Sequence, residues 1–326
     1  MQQYRDTNYA AVSAALHARE AHLLTQALSE RMLEAPTAEE SCKLLIECGY
    51  PPIEHCTLGE VEHLLALSRA ELYREVAVLA PDKRLVELFQ LKYDYHNAKL
   101  ALKAKLTGED VSRLVIGCGR YDAAALLRGE RGMLSSRMGR AMAQAEKEAE
   151  GGDVRQAELT LDRACFEEMS ELAGATGNEF LIGYVALQID AINLRTLVRA
   201  QRMGASDELL SAALLPGGHI PANQLKTARG DRLAELTRGS ALSSAGELAA
   251  ATLGGSGSLT AFERACDDAL VRYLQRARRT PFGPEVIVGY LSAKEAEFTA
   301  VRTILSGKLA GLDAEDIRAR LRLSYL

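Results

Sequence analysis

One helical pattern occurs three times along the chain and constrains its fold more than any other feature. The copies span residues 88–110, 184–206 and 291–313. In the first two, Asp-x-x-Asn is followed by a basic residue two positions later and by Gly fourteen residues after the Asp, whereas the third has Glu for Asp and Ala for Asn. Apolar residues step by three and four in each copy, with Lys294 as the one misfit, as on one face of a helix. The pattern predicts three related helices.

The polar residues of this pattern form a predicted seam between the repeats. They are Asp94, Asn97 and Lys99, then Asp190, Asn193 and Arg195, then Glu297 and Arg302. Because successive helix residues turn by about 100°, each acid lies on one edge of the apolar stripe and each cation on the other. We expect the acidic edge of one copy to face the cationic edge of the next, or the acids to cap a neighbouring helix. A solvated edge is the alternative.

Each copy ends at a glycine suited to the left-handed position that closes a helix. These glycines are Gly108, Gly204 and Gly311, and the residues that follow, Asp110, Ser206 and Asp313, are expected to cap the next helix. An upstream helix also repeats, since 161–173 matches 262–274 and, more weakly, 60–76. The chain therefore predicts an all-α fold of three similar helical bundles, residues 1–118, 119–218 and 219–326, around a pseudo-threefold axis.

The sequence contains no catalytic constellation. His96 lies between Asp94 and Asn97, but it has no counterpart in the other copies, and residues i and i+2 of a helix do not face each other. Glu60-x-x-His63 is half of a di-metal carboxylate motif, which needs a second copy and two further Glu residues. Glycine-rich phosphate loops are absent as well. We predict no catalytic, cofactor-binding or metal-binding residues.

The cysteines give little support to a metal site. The six are Cys42, Cys48, Cys56, Cys118, Cys165 and Cys266, and no pair has the CxxC spacing. Cys42, Cys48 and Cys56 cluster with His55, but their spacing fits no common zinc pattern. We expect buried or free thiols in a cytosolic protein, with a metal site as the alternative.

Charge and hydropathy restrict the partners of the chain. A net charge of -5 argues against nucleic acid, which requires a clustered cationic face. The densest cationic stretch, RYLQRARRT at 272–280, is interpreted as arginines that complement the dipole at a helix C-terminus. The apolar stretch 180–194 is interrupted by Gln188 and Asp190, so no membrane span is predicted, and the N-terminal residues are polar and charged. We expect a soluble protein of the cytoplasmic side without a direct lipid anchor.

The repeat helices also resemble a known family. LKYDYHNAK at 91–99, DAINLRTLVRA at 190–200 and GYLSAKEAEFTAVRTILSGKLAGLDAEDIRARL at 289–321 are similar to the C subunit of V-type and A-type ATPases, the family of the eukaryotic d subunit. The resemblance extends over nearly the whole chain, and the three motifs occur in the family's order. The segment YRDTNYAAVSAALHARE matches the opening of the family loosely.

The resemblance implies a fold and a role. It implies a funnel of three similar helical subdomains, without a catalytic or nucleotide-binding site, on the cytoplasmic face of the membrane proteolipid ring. The protein would be held there by partner subunits, would receive the central stalk, built of D-type and F-type subunits, and would transmit torque for ATP-coupled transport of protons or sodium ions. A helical-repeat scaffold or adaptor of another complex is the alternative, and an unrecognised metalloenzyme is a third.

Overall fold

The computed structural model describes residues 4–325, and within them every regular element is a helix. The α-helices are α1 (Ala10–Glu20), α2 (Gln26–Glu34), α3 (Ala38–Lys43), α4 (Leu58–Leu79), α5 (Arg84–Thr107), α6 (Ala123–Leu127), α7 (Ser136–Glu150), α8 (Val154–Thr176), α9 (Glu179–Arg202), α10 (Asp207–Ala213), α11 (Ala222–Thr227), α12 (Arg232–Thr237), α13 (Ser243–Leu253), α14 (Leu259–Leu274), α15 (Pro284–Leu309) and α16 (Ala314–Arg320). Short 3-10 turns occur at Asp6–Tyr9, Leu44–Cys48, Ser112–Leu114 and Gln275–Arg279. The predicted all-α class is confirmed.

Side-chain caps set many of the helix starts. The residues whose side chains accept a hydrogen bond from the first turn are Thr25, Thr37, Thr57, Asp122, Ser135, Asp153, Asn178, Ser206 and Asp313. Ser206 and Asp313 are thus caps, as expected from the sequence. Asp110 accepts a bond from the backbone of Ser112 (2.9 Å), but only a 3-10 turn follows, so the predicted helix after Gly108 is wrong.

The chain divides into two units, and the first is continuous, Arg84–Cys266. In it α8 packs against α5, α7 and α9, and α9 also packs against α10, α11 and α13. The inward faces of α5 and α9 are apolar, with Leu91, Ala98, Ala191, Leu194 and Val198 fully buried. Burial of this face stabilises the long helices, since each fully buried Leu or Val side chain contributes about 1.5–3 kcal/mol and the alanines contribute less.

The second unit is discontinuous and joins residues 4–83 to residues 267–325. Its central helix is α15, which contacts α1, α2, α3, α4 and α16. Leu291, Phe298, Val301 and Leu305 lie on the buried side of α15 and are fully covered. The N-terminal and C-terminal parts of the chain therefore share one core. The division into three repeats stays a prediction.

Among the residues that the structure describes, one helix, α9, is long and apolar enough to cross a membrane by length and composition alone. It also carries Asp190 and Asn193, which are buried and hydrogen-bonded inside the continuous unit. In the most apolar 18-residue segment of α9, 61% is buried inside the protein. These contacts identify α9 as a core helix.

Candidate functional site

The first repeat helix holds a loop through its acid and its amide. Asp94 Oδ1 accepts hydrogen bonds from the backbone N–H groups of Arg120 (2.8 Å) and Tyr121 (3.3 Å). The guanidinium Nε of Arg120 donates to Asp94 Oδ2 at 2.6 Å. One turn further along α5, Asn97 exchanges two hydrogen bonds with the backbone of Ile116, at 2.8 and 3.1 Å. We call this arrangement of Asp94 and Asn97 on the 116–121 loop the first clamp.

The second repeat helix repeats the arrangement. Asp190 accepts hydrogen bonds from the backbone N–H groups of His219 and Ile220, both at 3.0 Å. Nδ1 of His219 lies 3.2 Å from Asp190 Oδ2, in the place that the Arg120 guanidinium has in the first clamp. Asn193 exchanges two 2.8 Å hydrogen bonds with the backbone of Leu215. This second clamp holds the 215–220 loop, and its loop residues follow those of the first clamp by 99 positions.

A glycine makes the close approach possible in both clamps. A Cβ atom added to Gly119 would overlap Asp94 Oδ1, and one added to Gly218 would overlap Asp190 Oδ1 and lie 3.0 Å from its Cγ. The loop backbone can donate to the carboxylate only because these positions carry no side chain. The loop sequences IGCGRY and LPGGHI both have glycine at this position. The residue after each glycine, Arg120 or His219, contacts the same carboxylate through its side chain.

The third repeat helix keeps the acid but takes its partners from the N-terminal part of the chain. Glu297 Oε2 accepts a 2.7 Å hydrogen bond from the backbone N–H of Leu24, and its Oε1 accepts one from the hydroxyl of Tyr50 at 2.5 Å. Lys294, the misfit in the apolar pattern, pairs with Glu297 and lies over the rings of Tyr50 and Phe298. Glu297 and its partners form the third clamp, in which a cation in the stripe neutralises a buried carboxylate.

All three acids are buried, at 1% exposure for Asp94, 2% for Asp190 and 4% for Glu297. Burial, the largest effect, raises the pKa of Asp94 and of Asp190 above the ordinary carboxyl value. The donors from Arg120 in the first clamp, and from Ile220 and His219 in the second, offset that increase only in part. The carboxylates are therefore stabilised by directed donors rather than by water.

The first clamp extends into a buried polar network. Nη2 of Arg120 lies 3.1 Å from Glu168 Oε1 on α8, so the guanidinium is shared between Asp94 and Glu168. The hydroxyl of Tyr95 donates to Glu168 Oε2 at 2.8 Å, and burial together with this carboxylate raises the pKa of Tyr95. The network joins α5, α8 and the 116–121 loop, and its low exposure makes each hydrogen bond costly to break.

The basic edge of each repeat helix contacts the upstream helix that the sequence also repeats. Lys99 Nζ lies 2.6 Å from Asp162 Oδ1 on α8. Arg195 donates to the backbone carbonyl of Glu263 on α14 at 3.4 Å, and Arg199, one turn on, pairs with the Glu263 carboxylate at 2.6 Å. Within the discontinuous unit, Arg302 Nε lies 2.5 Å from Glu62 Oε1 on α4. The partner residues Glu62, Asp162 and Glu263 therefore recur at intervals of 100 and 101 positions, as the upstream helices themselves do.

The structure thus brings the predicted polar residues into contacts, but not with each other. Each acid bonds a loop or segment of its own unit instead of the cationic edge of another repeat helix. Helix periodicity did not predict the roles of Arg120, His219, Gly119 and Gly218, although both loops have Gly followed by Arg or His at the same offset. These four residues lie 25 to 29 positions downstream of the acid that each approaches, beyond the range of helix periodicity.

The three glycines predicted to end the repeat helices lie just after the C-termini of α5, α9 and α15. Gly108, Gly204 and Gly311 have φ angles of 70°, 66° and 73°, in the left-handed region. His96 is exposed, and its Nε2 lies 3.1 Å from the carbonyl oxygen of Leu114, two residues before the clamped loop. It takes no part in the cluster with Asp94 and Asn97.

The cysteines differ from expectation at one pair. Cys42 and Cys56 form a disulfide, whereas free or buried thiols were expected there. The loop between them folds back on α3, because Cys56 is buried against the carbonyl of Ala38. Cys48 between them is a buried thiol, and burial, with Glu297 nearby, raises its pKa to about 12. Among residues 4–325, no group of three or more His, Cys, Asp or Glu side chains could hold a metal ion.

The comparisons with known proteins agree on one family. The model of the ATP synthase (C/AC39) subunit family matches residues 12–320. The chain is 23% identical to the C subunit of the V-type sodium ATPase of Enterococcus hirae, over 97% of this chain and 99% of that protein. It is 27% identical to the C subunit of the A-type ATP synthase of Methanocaldococcus jannaschii, over 96% and 86% of the two chains, and 25% identical to the C subunit of the V-type ATP synthase of Thermus thermophilus, over 93% and 94%.

The match covers all three repeat helices and all three clamps. The family is a structural, non-catalytic subunit of membrane-associated V-type and A-type ATPases, in line with a buried polar framework that bonds backbone rather than a substrate. The chain belongs to the ATP synthase (C/AC39) subunit family.

Proposed function

We propose that the chain links the membrane proteolipid ring of a V-type or A-type rotary ATPase to its central stalk and transmits torque between them. It lies on the cytoplasmic face, is held there by partner subunits, and contacts stalk subunits of the D and F type. It has no catalytic role of its own. Torque transmission couples ATP turnover in the head to the transport of protons or sodium ions through the membrane sector.

The observation that carries this proposal is the set of three clamps. A part that transmits torque must resist deformation, and its loops must keep their positions relative to its long helices under load. In each clamp a buried carboxylate accepts a hydrogen bond from at least one backbone N–H group of a segment distant in sequence. Hydrogen bonds to charged groups contribute about 1.5–3 kcal/mol each, and dense packing around them lowers compressibility.

The relatives support the proposal through their length and names. The chain spans nearly all of the relatives from Enterococcus hirae and Thermus thermophilus, both named as subunits of V-type enzymes. Because the chain covers nearly the full length of these relatives, we infer that it can occupy the same position in its complex as they do in theirs. The acidic composition and the absence of a phosphate loop suit a part that binds proteins rather than nucleotides.

The test is retrieval of the tagged chain from mildly solubilised membranes of its own cells. We expect the proteolipid and the central stalk subunits to copurify with it, and the two no longer to be retrieved together once the stalk is dissociated from the ring. A matched tag on an unrelated helical protein controls for adhesion. If the chain is retrieved without either partner from cells that contain the assembled ATPase, the proposal is wrong.

A further inference from the structure

Four arginines lie close together at the end of α14 and in the 3-10 turn that follows it. Arg272, Arg276, Arg278 and Arg279 are all exposed. Within residues 4–325, none of the four makes an ion pair, and Arg276 only lies over the ring of Tyr273, 4.9 Å from its centroid. Most other arginines of the discontinuous unit, which contains these four residues, form ion pairs with acids, as Arg318 does with Glu30. We call the four residues the arginine patch.

A helix dipole does not explain the arginine patch. The sequence pattern that relates 262–274 to 161–173 sets Arg272 and Arg276 against Glu171 and Ala175. The weaker match in 60–76 sets Glu71 and Glu75 at these positions. The last turns of the related helices α4 and α8 carry no basic residue, although their dipoles have the same direction along the helix. The arginines are a feature of this one end, and the dipole interpretation of 272–280 is insufficient.

The backbone beneath the patch is held firmly. Leu274 and Ala277 are buried, and Ala277 approaches α15 so closely that a Cβ on Gly289 would lie 2.9 Å from it. Gln275 Nε2 donates to the carbonyls of Ser324 and Tyr325 at 3.0 and 3.2 Å. The guanidinium groups therefore project from a fixed base, which lowers the entropy lost when a partner binds.

We propose that the arginine patch binds an acidic segment of a neighbouring protein subunit. On a chain with a net charge of -5, four unpaired cations at one place are complementary to a local excess of carboxylates. Planar guanidinium groups bind carboxylates with two parallel hydrogen bonds, which Lys cannot do. A lipid surface is less favoured, because apolar side chains of α14, the helix that leads into the patch, are buried in the protein (Phe262, Cys266, Ala269 and Leu274). The exposed apolar side chain that follows the patch in sequence is Phe282, and a single such residue is a weak membrane anchor.

The inference rests on the proposed function only for the identity of the neighbour. Its first test therefore uses the isolated full-length chain and a fluorescent decaglutamate peptide at low salt. We expect Arg278→Glu combined with Arg279→Glu to weaken binding by about tenfold or more. The control combines Arg155→Glu with Arg238→Glu, which are exposed arginines elsewhere in the chain and should leave binding unchanged. Equal binding by both variants, or no binding by the wild type, overturns the proposal.

The second test locates the partner in the assembled ATPase. Arg278→Lys and Arg279→Lys retain the charge and introduce amines, which a carbodiimide can join directly to a partner carboxylate. We expect crosslinks to an Asp-rich or Glu-rich segment of another subunit, identified by mass spectrometry. If the wild type assembles and the charge-reversed chain assembles equally well, the inference fails while the proposed function stands. Patch-dependent binding to vesicles of anionic phospholipid, without a protein crosslink, also overturns it.

Discussion

The substitution Gly218→Ala tests whether the second clamp stabilises the continuous unit. The new methyl group would overlap Asp190 Oδ1, and Asp190 is 2% exposed, so neither side can move into solvent. Displacing the carboxylate breaks its bonds to the N–H groups of His219 and Ile220. Each of these two bonds contributes about 1.5–3 kcal/mol, so we expect the free energy of unfolding to fall by about 3–6 kcal/mol.

The assay is urea unfolding followed by the helical circular-dichroism signal, since the chain has no Trp for fluorescence. Gly174→Ala is the matched control, because Gly174 lies exposed in α8 with no atom within 4 Å of the added methyl group. Ala is the better helix former there, so the control should be unchanged or more stable by up to about 1 kcal/mol.

A double-mutant cycle identifies the cause. Asp190→Ala alone should cost about 3–5 kcal/mol, because it leaves buried donors without an acceptor. In that background the overlap no longer exists, so Gly218→Ala should add less than about 1 kcal/mol. A cost of less than about 1 kcal/mol for Gly218→Ala in the wild type, or an equal cost in both backgrounds, would show that the overlap with Asp190 does not stabilise or strain the second clamp as described.

Three further predictions concern single contacts. Lys99→Ala should lower stability by at most about 1 kcal/mol, because the Lys99–Asp162 pair is partly exposed; a larger change in urea unfolding would contradict this. The carboxyl of Asp190 should titrate above its ordinary value of 3.8 in carbon NMR, and the part of the free energy of unfolding that depends on its protonation should be fully present below that value and decline as the pH rises through the higher folded pKa. Under oxidising conditions, Cys42→Ser with Cys56→Ser should lower stability by about 2–3 kcal/mol, with no effect in reductant.

The sequence predicted the parts of the structure that depend on local periodicity. The three helices, their terminal glycines and the caps at Ser206 and Asp313 follow from spacing within one or two turns. The polar positions Asp94 and Asp190 were also recognised, because they recur. Their partners were not, since helical geometry says which edge a residue occupies and not which distant loop returns to it.

The third clamp shows why the partners of the buried acids could not be predicted from the sequence. Glu297 bonds Leu24 and Tyr50, which precede it by 273 and 247 positions. No short-range rule pairs residues so far apart in the chain. Lys294 looked like an error in the apolar pattern, yet its contact with Glu297 places a cation where an unpaired buried carboxylate would be costly. A lysine at an apolar position of the helical pattern, such as Lys294, can therefore indicate a buried acid one turn away, here Glu297.

The most direct measurement of the central claim is ATP-driven ion uptake by vesicles that contain the reconstituted ATPase, with and without this chain. ATP hydrolysis is followed in the same samples. If the chain transmits torque between stalk and ring, its omission should leave hydrolysis by the head in place and abolish ion uptake, and adding back the wild-type chain should restore uptake. Undiminished ATP-driven uptake in vesicles that lack the chain would contradict the account.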